Sequence, residues 1–295
     1  MRDFMIFGDS TCDLDKATRE RYNVDYVAMN YIVDDVEYVA SLDWESHSVK
    51  EFYDLMRNGK RVFTTQVPRA SYEEKFKAAL EQGKDVLYVS CSSALSGSIN
   101  IARVVAEELN AQYPDNKVYC VDSLISSLGQ GHLLIIASNM RAEGKEASEV
   151  AAYLDSVKLC MNQQATVGSL EYLSRAGRIK ASKAFFGNLF GVKPLIISDT
   201  KGQNYAWKKA KGAAGARRAL AEMTAEVADG NYDTLYITHA DCLESAEALR
   251  DEILAIAPFK EVIIGTIGPI VGASVGPGTY SAYCYGKEVT IEGNE

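Results

Sequence analysis

The chain is predicted to be an α/β protein made of two α/β domains. The N-terminal one would carry a mostly parallel sheet with flanking helices, the C-terminal one a mixed sheet with helices. Three observations predict this. Short apolar runs of strand character alternate with longer runs of helical spacing through the first half, the rhythm of βαβ units. Hydroxyl- and acid-rich turns follow three of those strands, at 9–13, 92–98 and 122–127, where open α/β sheets bind ligands. Beyond residue 160 strand-like runs outnumber helical ones.

The elements follow in order. A strand at 4–7 turns at Gly8-Asp9-Ser10-Thr11, and Ser10 with Asp13 has the spacing of a capping box opening a helix to about Arg21. Apolar runs at 24–33 and 36–39 flank Asp34-Asp35, which predicts a strand pair with a tight turn. Tyr72, Phe76, Ala79 and Leu80 have helical spacing. Then come a strand at 86–89, a helix at 99–109, a strand at 117–121 and helices at 128–142 and 146–159. Past these, strands are expected at 195–198, 205–207, 235–238, 262–266 and 280–285, with two clear helices at 213–227 and 244–257. The change of style puts a domain boundary near 160, giving domains 1–160 and 161–295.

Composition narrows the function classes. With 47% hydrophobic and 24% charged residues, the 295-residue chain has the mix of a soluble globular protein. A net charge of −9 disfavours wholesale binding to nucleic acid or an anionic membrane. No apolar run is long enough to span a bilayer, and the N-terminus has no signal-like apolar region, so a cytoplasmic location is expected. The six cysteines are scattered without a C-x-x-C pair and read as reduced thiols. His47, His132 and His239 are too few and too dispersed to suggest a metal centre.

The richest stretch is Ser92-Ser93-Ala94-Leu95-Ser96-Gly97-Ser98, between a strand and a helix. Such a turn can offer backbone N–H groups and a helix dipole to one small anion. Alternatively, Ser96 or Ser98 simply caps the helix. Asp9 and Asp13 could form a carboxylate pair, but a strand-end turn and a first-turn helix acid explain them more simply. Ser96 as a nucleophile would need a base; there is no G-x-S-x-G elbow, and His239 reads as a strand-end structural residue. The run Lys208, Lys209, Lys211 is either a solvated face or a docking patch for an acidic partner. Phe185, Phe186, Leu189 and Phe190 read from composition alone as core filling.

Taken in series, the turns resemble the DegV family of bacterial fatty-acid-binding proteins. Asp9-Ser10-Thr11-Cys12-Asp13-Leu14 is similar to its D-S-T-x-D-L signature, and Thr64-Thr65-Gln66 to its T-S-Q turn. The Ser92–Ser98 stretch resembles S-S-x-L-S-G-T, Asp122-Ser123 a D-S turn, and Leu173 with Gly177-Arg178-Ile179 resembles L-x-x-G-G-R-I. Gly187-Asn188-Leu189 with Lys193-Pro194 resembles G-N-L…K-P, and residues 272–278 resemble G-A-H-x-G-P-G. The resemblance implies a non-catalytic carrier. It would bury a long-chain fatty acid such as palmitate, stearate or oleate between its two domains and present it to a fatty-acid kinase, with no other cofactor.

By residue matching, Thr64 and Ser96 would donate to the carboxylate, with Gly97, Arg178 and Ser274 close by. Phe185, Phe186, Leu189 and Phe190 would then line the acyl tunnel, and Lys208, Lys209 and Lys211 would face the partner. Ser274 stands where the family has histidine, and serine cannot carry charge or shuttle a proton near neutral pH. Lys211 stands where an arginine is usual and lacks its planar fork. The alternative is an esterase- or phosphatase-like enzyme using Ser96 or Asp9.

Overall fold

A computed structural model describes residues 3–181, 185 and 191–293. Its first sheet has four parallel strands, β1 (Phe4–Asp9), β2 (Asp25–Val27), β6 (Asp85–Ser90) and β7 (Val118–Asp122), in the order β2-β1-β6-β7. The chain leaves β1 through α1 (Lys16–Tyr22) to β2 on one side and later enters β6 on the other. The strand order therefore reverses between β1 and β6, and the crevice beyond their carboxyl ends is where this topology places a ligand. α3 (Arg69–Leu80), α4 (Ser98–Gln112), α5 (Ser127–Ala142) and α6 (Ala147–Val157) cover the sheet. Every residue of β6 is buried, as expected for a strand covered on both faces.

Between β2 and α3 lies a three-stranded antiparallel sheet, β4-β3-β5, of β3 (Asn30–Val33), β4 (Val36–Val39) and β5 (Val62–Thr64), with α2 (Val49–Arg57) inserted. The expected strand 24–33 is thus split between two sheets. Asp34 and Asp35 make the hairpin turn with φ of 50° and 62°, a left-handed pair that short polar side chains tolerate.

The remaining strands form one mixed sheet of order β10-β9-β8-β13-β11-β12: β8 (Met161–Thr166), β9 (Val192–Ser198), β10 (Asn204–Lys211), β11 (Thr234–His239), β12 (Glu261–Thr266) and β13 (Tyr280–Tyr285). Among the described residues of this sheet, only the β11–β12 strand pair is parallel. The two expected helices appear as α8 (Gly212–Ala228) and α9 (Leu243–Leu254), and two short ones join them, α7 (Leu170–Ala176) and α10 (Pro269–Val275). α5 touches both large sheets, and α10 packs on α2, α7, β3 and β5. One hydrophobic core accordingly mixes Phe52, Tyr53 and Tyr72 with Ile267, Ile270 and Ala273. Among the described residues no helix is long and apolar enough to cross a membrane, and all six cysteines are free thiols.

The capping-box reading of Ser10 and Asp13 is corrected by the structure. α1 starts five residues later than that reading puts it, capped by Asp15, whose carboxylate accepts the Thr18 N–H at 2.7 Å. Ser10 Oγ instead donates to the Ala40 carbonyl at 2.8 Å and accepts the Met29 N–H at 2.9 Å, tying the β1 turn to the small sheet. Asp13 is not a first-turn helix acid. It sits at φ 51°, buried, with Oδ2 accepting from the Ser127 hydroxyl and Oδ1 from the Gly268 N–H at 2.9 Å, just ahead of α10.

The turn between β9 and β10 locks the two large sheets together through one glycine. At Gly202, φ is +73°, and a Cβ there would lie 2.3 Å from Ser92 Oγ and 2.7 Å from the Leu124 backbone. Gly202→Ala should lower stability by about 2–3 kcal/mol, from left-handed strain plus a backbone clash that cannot relax locally. The midpoint of urea unfolding checks this; an unchanged midpoint would remove the lock.

Candidate functional site

A cavity of about 350 Å³ lies at the β1–β6 crevice, closed by the mixed sheet and by α10. Ligand pockets commonly begin at about this volume. Thr11 and Cys91, in the turns after β1 and β6, form part of its wall. Thr64 comes from the end of β5, Ser96 from the turn before α4, Arg178 from the turn after α7, and Ser274 from α10. The fold therefore brings four of the sequence-predicted residues, far apart in the chain, to one cavity. Gly97 lies just outside the wall as the N-cap of α4. Its missing Cβ leaves room for the Gln66 amide, 2.5 Å from where that atom would be.

The Ser92–Ser98 turn uses its own donors more than the sequence suggests. Ser93 N–H donates to Asp122 Oδ1, Ala94 N–H to Ser92 Oγ, and the Leu95 and Ser96 N–H groups both to the Ser92 carbonyl. Ser96 Oγ accepts the Ser98 N–H at 3.3 Å and donates to Ser98 Oγ at 3.0 Å, so it does serve the helix start. The Gly97 N–H has no acceptor among the described residues. Thr64 Oγ1 likewise has no hydrogen-bond partner among them. Arg178 Nε donates to the Leu95 carbonyl at 3.2 Å and Nη1 to Ala176 O, which fixes the guanidinium against this turn.

An apolar stretch of the wall comes from Leu173 of α7, Ile196 of β9, and Ile270, Val271 and Val275 of α10. Sequence reading placed a strand over Ile196 and quoted Leu173 in a motif, but assigned neither helix because both are only seven residues long. Pro269 at the first helical position was the available signal for α10. Phe185 packs against the Leu173–Ile196 cluster. Phe186, Leu189 and Phe190, predicted to line the tunnel, lie outside the described residues, as does Gly187-Asn188-Leu189.

Among the described residues Arg178 is the one charged side chain on the wall, and no Asp, Glu or His lines it. Asp9 lies behind the wall, fully buried, its carboxylate accepting from Thr11 N–H at 3.0 Å, Tyr88 hydroxyl at 3.0 Å and Cys91 N–H at 2.9 Å. Burial pushes the neighbouring Cys91 thiol well up, so it stays protonated. His239 ends β11, with Nδ1 accepting from the Cys242 N–H at 3.4 Å and its pKa lowered by burial. Among the described residues, Ser96 therefore meets no imidazole or carboxylate base on this wall.

Lys208, Lys209 and Lys211 all lie exposed on β10, an edge strand, with a register shift between Ala206 and Lys208. Lys208 Nζ stands 5.9 Å from the Trp207 ring centre and Lys209 Nζ 4.7 Å from that of Phe185. Charged side chains and a bulge are also what protects a sheet edge from pairing with other chains.

Residues 3–287 match the family model described as the DegV family of uncharacterised proteins. A DegV domain-containing protein of Clostridium perfringens, CPE0026, is 34% identical over 287 residues, covering 97% of this chain and 98% of the relative. Among solved structures, a Thermus thermophilus DegV family protein described for its fatty acid binding superposes with a TM-score of 0.88 at 29% identity, covering 97% of this chain and 100% of its own. A DegV lipid binding protein from Thermotoga maritima gives 0.84 at 25% identity, covering 98% and 100%.

Proposed function

The chain belongs to the DegV family, and we propose that it is a cytoplasmic, non-catalytic carrier that buries one long-chain fatty acid and presents its carboxylate to a fatty-acid kinase. The observation that carries this reading is the cavity wall itself. It has an apolar stretch made by Leu173, Ile196, Ile270, Val271 and Val275, and its one charged side chain among the described residues is a cation beside unspent hydroxyl and N–H donors. An anion with an apolar tail complements such a wall. In this reading Thr64 Oγ1, the Gly97 N–H and Arg178 receive the carboxylate, and Ser96 Oγ turns from Ser98 to join them. Charge-assisted hydrogen bonds of this kind are the strong ones. Ser274 donates at the same end without a titratable ring, so binding does not depend on a second cation there. Residues 1–160 and 161–295 act as the two halves of the holder, and Lys208, Lys209 and Lys211 form the strip that meets an acidic face of the kinase.

The energetics permit this. A tail of roughly 14 methylenes gains about 11 kcal/mol at about 0.8 kcal/mol per buried CH₂. Association and ordering cost about 4–15 kcal/mol. The head-group contacts therefore decide the affinity.

Replacing Thr64 and Ser96 together with alanine should weaken fatty-acid binding by about 2 kcal/mol, roughly thirtyfold in Kd, with a near-normal melting temperature in the absence of lipid. Titration calorimetry with palmitate and native mass spectrometry of the purified protein measure this. Unchanged affinity in the double variant would remove these two residues from the head-group site. Failure of the wild-type chain to bind any of a panel of fatty acids would overturn the carrier reading as a whole.

A further inference from the structure

The cavity carries a second polar feature that a plain hydrocarbon tail would leave unmatched. Gln163 of β8 lines it and is only 5% exposed. Its Nε2 donates to Asn204 Oδ1 at 3.0 Å, and Asn204 Nδ2 donates to the Arg178 carbonyl at 3.1 Å. That chain of donors fixes both amide orientations: Asn204 must turn its oxygen to Gln163, so Gln163 must turn its nitrogen to Asn204. Gln163 Oε1 is left on the cavity side and receives no hydrogen bond from the described residues. Tyr283, paired with Gln163 across β13 and β8, accepts from Ser281 Oγ at 3.2 Å, and no hydrogen bond joins its hydroxyl to Gln163 among the described residues. Polar groups that a bound ligand buries need a hydrogen-bond partner, from the protein, from water or from the ligand itself.

We propose that the preferred ligand is a fatty acid carrying a hydroxyl on its chain, whose O–H donates to Gln163 Oε1. This rests on the fatty-acid reading above and adds the substituent. The atom offered is an acceptor beside another carbonyl-bearing amide, so it repels a carboxylate and selects a donor. It therefore cannot be a second head-group site. A carbon chain without a donor buries Oε1 with its hydrogen bond unmade, and that difference between ligands is what selects between them.

The test is direct binding of octadecanoic acid and of its 2-, 10- and 12-hydroxy derivatives to the wild-type chain and to Gln163→Leu. The wild type should bind at least one hydroxylated isomer about fivefold or more tightly than octadecanoic acid. In Gln163→Leu that advantage should vanish while octadecanoic acid still binds. Gln163→Met, unbranched and of similar length, should behave as the leucine variant does and serves if leucine impairs folding. The proposal is overturned if every hydroxylated isomer binds the wild type more weakly than octadecanoic acid, or if the variants keep the isomer's advantage. Absence of binding by all four acids would instead overturn the fatty-acid reading itself.

Discussion

Asp9→Ala should cost about 5 kcal/mol or more of folding stability and leave little folded protein at 37 °C. The Asp9 side chain is fully buried, and it organises the exact point where the parallel sheet changes direction. It accepts the backbone N–H groups of Thr11 and Cys91, the first belonging to the turn after β1 and the second to the turn after β6, and also the Tyr88 hydroxyl. Alanine leaves all of these donors buried with nothing to receive them, at about 1–3 kcal/mol each. The two backbone groups cannot turn away.

Asp9→Asn separates this role from a catalytic one. The amide keeps the volume but sets N–H against N–H on one side, so it should lose about 2–3 kcal/mol. A catalytic carboxylate would instead leave a stable, inactive asparagine variant. Urea unfolding of both variants measures the losses. A cost below about 2 kcal/mol for alanine would refute the account. Because Thr11 and Cys91 line the cavity, the same carboxylate shapes the ligand site without touching it.

The parallel sheet was legible because its physics is local. Strands β6 and β7 are apolar, α4 and α5 have clear periods, and the polar turns fall at strand ends. The walls added by the C-terminal half were less so. β8 reads Met-Asn-Gln-Gln-Ala-Thr, and its buried amides at 162–164 look nothing like a central strand. Asn162 donates to the Cys160 and Lys287 carbonyls, and Gln163 pairs with Asn204 on the cavity wall, so the sequence breaks the strand rule next to the site. α7 and α10 are too short for periodicity to show, though they bring Leu173 and Ser274 to the site. Asp13 misled for another reason. S-x-x-D is a capping spacing, but a left-handed residue at 13 redirects the chain, and tertiary partners at Ser127 and Gly268 decide that geometry.

Those partners make Asp13 the group whose ionisation should be felt most in the folded protein. Burial raises its pKa from 3.8 to about 7; the Asp9 charge acts in the same direction, and the Ser127 hydroxyl and Gly268 N–H oppose it. Between pH 4 and 7 the folded chain holds a proton here that the unfolded chain has released. Stability from this group is therefore fully present below pH 4 and is lost as pH rises through 7. A displacement from 3.8 to about 7 is worth at most ~4 kcal/mol at 1.36 kcal/mol per pKa unit.

Asp13→Asn is neutral at every pH and can still accept the Gly268 N–H, while Ser127 reverses its hydroxyl to accept from the new amide. Relative to wild type, the variant should therefore gain stability from pH 5 to about pH 7 and level off by pH 8. Urea midpoints for both chains at pH 5, 6, 7 and 8 measure the divergence, and parallel profiles would refute it. The consequence reaches the ligand. Gly268 precedes α10, which carries Ile270, Val271 and Ser274 on the cavity wall, so the proton on Asp13 bears on the anchor of the helix that closes over the bound chain.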